Sequence, residues 1–218
     1  MAKEKELASC FKKMYVTPQG GASYPHIAEP QTKFNEDGVY DVTMYFDEQS
    51  GGKLLEQLND AYNQASIEAK EKYEEQKPQY KKSNPQINYE PFYREEVDDD
   101  GVSTGRIFVK FKCKAKIKTR DNKIFEKKVA IYDRYNQPMP NEKAKKVSSG
   151  SIMKVAFKAS PYFVPAGCKA GISLQLEAVQ VIEAKEWDGT RSAADYGFKS
   201  FEEEDGAAFG QSEGDIDF

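Results

Sequence analysis

The sequence holds one histidine, His26, and no second histidine or Cys-x-x-Cys pair lies near it. A structural zinc ion takes four nitrogen or sulfur ligands, so no zinc site is expected. The lone histidine offers a Ser/His/Asp arrangement one hypothetical pairing at most. A phosphate-binding glycine loop, a G-x-S-x-G elbow and an HExxH helix are all lacking. Catalysis has no motif behind it, and neither cofactor nor metal is implied. The three cysteines, Cys10, Cys113 and Cys168, are odd in number and widely spaced. That suits buried thiols in a reducing compartment better than a disulfide scaffold. No apolar run approaches bilayer-spanning length, and no secretory h-region stands near the start. The expectation is a cytoplasmic protein with no membrane contact.

What the chain does have is charge, unevenly placed. Residues 202–218, EEEDGAAFGQSEGDIDF, hold seven acids and no Lys or Arg, which leaves residues 1–201 with 32 basic and 29 acidic side chains. A net charge of -4 therefore conceals a mildly basic body and a tail of -7. The tail is too polar to fold alone and reads as disordered, with Phe209, Ile216 and the terminal Phe218 as apolar points. Its Glu202, Glu203, Glu204, Asp205, Asp215, Asp217 and Phe218 are candidates for partner contact. Such a tail can lie in a cationic groove of its own chain, engage a basic and apolar pocket on a partner, or simply solubilise.

The most informative stretch is RIFVKFKCKAKIK, residues 106–118. With a period of two, Ile107, Val109, Phe111, Cys113, Ala115 and Ile117 fall on one face. Phe108, Lys110, Lys112, Lys114, Lys116 and Lys118 fall on the other. Five lysines on one side of a strand repel one another unless something negative covers them. Two readings are open here: a solvated face that discourages edge pairing, and a polyanion-binding face.

Around this strand the chain reads as mainly β and as one domain. Residues 10–30 mix extended segments and turns, and VYDVTMYFD predicts a first strand with Tyr40, Val42, Met44 and Phe46 inward. Leu55, Leu58, Tyr62, Ala65, Ala69 and Tyr73 predict one long inserted helix over residues 53–77, with a weak entrance at Ser50, Gly51 and Gly52. Residues 78–105 read as an irregular loop packed back by Tyr89, Phe92 and Tyr93. KIFEKKVAIYD is read as the partner of the lysine strand in a long hairpin, with a bulge to reconcile its two faces. SIMKVAFKA and the stretch from Ile172 to Ile182 supply two more strands, with residues 161–171 as a loop between them. Five strands of this kind fit an OB-fold barrel better than a sandwich needing seven.

On such a barrel Lys110, Lys112, Lys114, Lys116 and Lys128 would neutralise backbone phosphates. Phe108, Tyr132, Tyr162 and Phe163 are candidate stacking platforms, and Lys154 and Lys158 lie on the polar side of their strand. No recognition helix points to duplex reading, so single strands are the favoured target. The alternative is an OB-type protein-interaction or replication-accessory module whose lysines receive an acidic protein. A weaker alternative is a metal-dependent nuclease using Asp98, Asp99 and Asp100, which otherwise read as a solvated turn.

The segments MAK at the start, GVYDVTMYFD, FKCKAKI, GSIMKVAFKASPY, GISLQLEAVQVIE and the ending DIDF occur in an order and spacing that resemble the single-stranded DNA-binding protein of short-tailed lytic phages. The resemblance covers essentially the whole chain. It implies an OB barrel with an extra helix over residues 1–201, binding single-stranded DNA, and an interaction tail over residues 202–218. It also implies a non-enzymatic role in coating single strands during phage replication, recombination and repair in the host cytoplasm. The tail would contact the phage DNA polymerase and helicase-primase and support a homodimer. The family's PYxW segment is matched by Pro161, Tyr162, Phe163 and Val164. Tyr162 inherits a stacking role, whereas Val164 cannot, and Phe163 or another ring would compensate. Lys3 matches an early basic position and Phe218 the terminal aromatic. The tail is less densely acidic and richer in glycine than the family pattern.

Overall fold

The computed structural model of the chain describes residues 8–119 and 121–186. The elements in order are α1 (Ser9–Lys12), β1 (Tyr15–Val16), β2 (Gly20–Gln31), β3 (Val39–Phe46), α2 (Glu48–Glu74) and α3 (Pro78–Ser83). They continue with β4 (Asn88–Tyr89), β5 (Tyr93–Val97), β6 (Ser103–Lys114), β7 (Lys116–Lys118) and β8 (Ile124–Glu126). β9 (Ala130–Tyr132), α4 (Asn141–Ala144), β10 (Ile152–Val164) and β11 (Lys169–Glu183) complete the described chain. Residues 202–218 and the proposed boundary at 201 lie outside the described residues.

Alternation places the core. Ile107, Val109, Phe111, Cys113 and Ala115 are buried on one side of the lysine strand, and Tyr40, Val42, Met44 and Phe46 are buried on β3 beside it. The same period buries Met153, Val155, Phe157 and Ala159 on β10, and Ala170, Ile172, Leu174 and Leu176 on β11. The strands β2, β3, β6, β11 and β10 are hydrogen-bonded in that order, and β10 pairs back to β2. The result is a five-strand ring of OB-fold-like architecture, with side chains from all five filling its interior. Its seams are unequal. β10 and β11 pair along thirteen residues, whereas β6 meets β11, running parallel, at the single pair Lys112 and Gln175.

Two strand assignments from sequence are corrected. The strand between Gly20 and Gln31 is a ring member, although its alternation is broken by Gly20, Gly21, Pro25 and Pro30 and by register shifts on either side of His26. KIFEKKVAIYD is not a single ring strand: it divides into β8, which pairs with β7 in a separate two-stranded sheet, and β9, which runs parallel to β11. Its mixed faces reflect that division, with Val129 buried at the break. The expected loop 161–171 is also shorter, because β10 continues through Val164. Pro161 pairs in register with Ile172 on a stretch where, among the described residues, β10 has β11 as its one partner strand, a place where a missing N–H is tolerated.

Helix α2 buries Leu54, Leu58, Ala61, Ala65 and Ala69 along one stripe and packs against β10 and β11. Its entrance is capped, contrary to expectation: Asp47 Oδ1 accepts from the Ser50 N–H at 2.7 Å. That hydrogen bond is the first cause holding the Asp47 carboxyl below its ordinary value. Gly51 is buried in the first turn, where a Cβ would come within 2.9 Å of Ile107 Cγ1. Glycine there lets the helix approach β6 closely. Tyr62 packs on Phe92, with ring centroids 5.7 Å apart, and so ties the segment after α3 to the helix as anticipated for that aromatic cluster.

Candidate nucleic-acid interface

Because β6 buries its odd-numbered residues, Phe108, Lys110, Lys112 and Lys114 face outward. Antiparallel register sets Tyr45, Thr43, Asp41 and Val39 of β3 beside them. On the other side Gln175 of β11 pairs with both Lys112 and Lys158 of β10. Paired residues share a face, so Lys158, Gln175, Lys112, Asp41 and His26 form one row across the whole ring. The β6–β11 seam is concave. A depression of about 460 Å³ is lined by Glu90, Phe92, Lys110, Lys112, Tyr162 and Ser173 among others. A second, of about 450 Å³, shares Lys112 and Ser173 and continues past Lys114 to Ile117 and Lys127. Together they make a trough with lysines along one bank.

Two carboxylates organise the charge, Asp41 beside the trough and Glu90 within it. Asp41 is nearly buried; its Oδ1 is 2.9 Å from His26 Nδ1 and its Oδ2 is 2.7 Å from Lys110 Nζ. The pairing with Lys110 is diagonal across the two strands and fixes that lysine's direction. Lys112 and Lys114 are exposed. At the other end, Tyr162 donates to Glu90 Oε2 at 2.9 Å, and Lys169 Nζ lies 2.6 Å from Oε1. Burial first, and then the hydrogen bond to Glu90, push the Tyr162 phenol up to about 12. Lys169 first, and then Tyr162, hold the Glu90 carboxyl below its ordinary 4.5. Tyr162 therefore contributes its full share of stability below pH 10 and loses it as pH rises through about 12. Glu90 contributes above pH 4.5 and loses its share as pH falls through the depressed value.

An aromatic and cationic ladder borders the lysines. The rings of Tyr45 and Phe108 are 6.1 Å apart, with Arg106 over the first at 5.4 Å and Arg94 over the second at 5.2 Å. Tyr45 lies over Gly21, its register partner on β2, where any Cβ would strike the ring. Arg94 and Arg106 escaped the sequence reading, as did Tyr45 and Glu90. Arg94 and Glu90 fall in a stretch that reads as loop, and no period in a single strand reveals which ring a neighbouring strand brings beside it.

The remaining sequence candidates divide. Lys110, Lys112, Lys114 and Tyr162 line the trough, Phe108 and Lys158 flank it, and Lys154 and Tyr132 stand on either side of Gln180 farther along β11. Lys116 and Lys128 together border another depression near β2, with Pro30 and Tyr40, and Lys128 also lines a further one beside Ile27. Phe163 pairs with the fully buried Ala170, on the opposite face of β10 from Tyr162, so the two rings do not form one platform. Lys3 and the tail candidates lie outside the described residues. Asp98 Oδ1 accepts from the Asp100 and Val102 N–H groups, which accounts for the aspartate run as a turn. No group of three or more His, Cys, Asp or Glu that could hold a metal is found among the described residues.

The family model for the single-stranded DNA-binding protein of bacteriophage T7 matches residues 20–184. The chain belongs to this family. A member from Enterobacteria phage T3, also a single-stranded DNA-binding protein, is 28% identical over 202 residues, covering 84% of this chain and 81% of the relative. The crystal structure of the phage T7 protein superposes with a TM-score of 0.66 at 22% identity, covering 90% of this chain and 98% of that one. The single-stranded DNA-binding protein of bacteriophage Enc34, solved in complex with single-stranded DNA, gives 0.51 at 13% identity, covering 86% and 100%. In an OB fold, the second and third strands carry the oligonucleotide face. Here those are β3 and β6, the strands that bear the ladder and the lysine row.

Proposed function

We propose that this phage-family protein coats single-stranded DNA without reading its sequence, in the service of phage DNA replication, recombination and repair, and that the trough along β6 and β11 is its binding groove. The observation that carries this reading is the outward row Lys110, Lys112 and Lys114 lining one concave path beside the Tyr45–Phe108 ladder. Lysines are flexible point charges that neutralise phosphates wherever they lie, and a ring accepts any base because every base has a π-face. Neither device distinguishes sequences. Tyr162 offers a further ring at the Glu90 end. The role is binding rather than catalysis. No described helix is long and apolar enough to cross a membrane, and the host cytoplasm is the proposed site of action.

The acidic residues from Glu202 to Asp217, with Phe218, are proposed to occupy the groove when DNA is absent and to engage the phage polymerase and helicase-primase, with homodimerisation through the same segment. A fluorescence titration with single-stranded and duplex oligonucleotides at several salt concentrations tests the groove. Tight, salt-sensitive binding to the single strand is expected, and equal, weak binding to both forms points instead to a protein-interaction module. Magnesium-dependent strand cleavage would revive the nuclease reading. Deleting residues 202–218 is expected to tighten binding at low salt, and unchanged affinity there argues against internal competition.

Glu90 places one negative charge inside the groove. Glu90→Gln keeps an acceptor for Tyr162 and removes that charge. Single-strand affinity should rise several-fold at low salt and converge with the parent at high salt, where screening shortens the reach of the carboxylate to a few ångström.

A further inference from the structure

The hairpin of β7 and β8 stands apart from the ring as its own two-stranded sheet. Its register pairs Ile117 with Phe125, and the two are 44% and 57% exposed. Cross-strand partners share a face, so these side chains form one apolar step in water. The step faces the groove, because Ile117 lines the Lys112 and Lys114 end of the trough together with Lys127. The hairpin is held in shape by its own hydrogen bonds. The Thr119 N–H and hydroxyl both donate to the Lys123 carbonyl, at 2.9 and 3.2 Å, and the Asn122 N–H donates to Thr119 at 3.0 Å. Its base is fixed where the Lys127 N–H donates to the buried Ala115 at 2.7 Å and the Lys127 ammonium pairs with Glu177 at 2.8 Å.

The core makes no use of this apolar pair, and the surroundings indicate what does. Lys112, Lys114 and Lys127 line the same depression as Ile117, which favours a ligand that is anionic along its length and offers flat apolar groups. The step continues the groove beyond Lys114, so a strand leaving the trough at this end passes over it. We propose that the β7–β8 hairpin is a base-contacting finger, on which Phe125, backed by Ile117, packs against an unpaired nucleobase of the bound strand. The inference rests on reading the trough as the single-stranded DNA groove. It adds a contact outside the β3–β6 face, and it explains why a ring is exposed on this hairpin.

The test uses the full chain and its Phe125→Ala, Phe125→Leu and Phe125→Tyr variants. Each is titrated with a labelled oligothymidylate and with an oligomer of the same length carrying abasic sites. Base stacking on a ring is worth enough that Ala and Leu should bind the oligothymidylate about tenfold more weakly, with Tyr close to the parent and the salt slope unchanged. On the abasic oligomer all four should bind alike. Because Phe125 is exposed, melting temperatures should match that of the parent. Parental affinity of the Ala and Leu variants for oligothymidylate overturns the finger, and so does an equal loss on the abasic strand. Loss of binding only to an acidic protein segment overturns it too, assigning the step to a protein partner. A parent that fails to prefer single strands overturns the groove itself and the finger with it, so the two failures are told apart by the parent's own titration.

Discussion

Replacing Lys110, Lys112 and Lys114 together by alanine is expected to lower affinity for single-stranded DNA by roughly 400-fold at about 50 mM salt. The size follows from counterion release. Each neutralised phosphate on a single strand contributes about 0.7 to the slope of log K against log salt, so removing three phosphate-neutralising lysines flattens it by about 2 units. The parent and variant lines then meet near 1 M salt and diverge as salt is lowered. The fold should not suffer, because these three side chains point outward while Val109, Phe111 and Cys113 between them remain buried. Asp41 keeps His26 when Lys110 is removed. Fluorescence anisotropy across a salt series is the measurement, with thermal melting as the control. An unchanged slope would place the lysine row on a face the DNA does not touch.

Phe111→Ala is expected to cost roughly 3–5 kcal/mol of stability. Phe111 is fully buried, its ring centroid 4.8 Å from that of Phe157, which in turn stacks on Tyr15 at 5.5 Å. These three rings join β6, β10 and β1 through the interior of the ring of strands. Removing the first leaves a cavity bounded by side chains that are themselves held by strand pairing and cannot collapse into it. For a chain of this size the melting temperature should fall by about 10 °C or more. Urea denaturation with an unchanged slope would confirm that the change lies in stability, and a loss below about 1 kcal/mol would contradict the packing described.

The lysine strand was legible in the sequence because its two faces differ in chemistry at every step from Val109 to Ala115. Beyond that point the pattern misled. Ile117 continues the alternation, yet the chain bends at Ala115 into a separate sheet and leaves Ile117 exposed. The strand from Gly20 to Gln31 was illegible for the opposite reason. Its glycines admit Tyr45 and Phe46 close to the backbone, its two prolines break the period, and Tyr24 takes a positive φ of 47°. Helix α2 was recognised by its spacing, but its cap at Asp47 lay outside the window that the apolar residues marked. The site was legible one strand at a time. That Gln175 stands between Lys112 and Lys158, or that Arg94 covers Phe108, depends on register between distant segments, which no local pattern encodes.

The seam where β6 meets β11 at a single registered pair lies along the floor of the trough. A strand held there, as proposed, would touch Lys112 on one bank and Ser173 on the other, so the ligand would act as a splint across the thinnest joint of the ring. Coating would then work in both directions: the protein shields the DNA, and the DNA braces the protein where its own backbone offers the least.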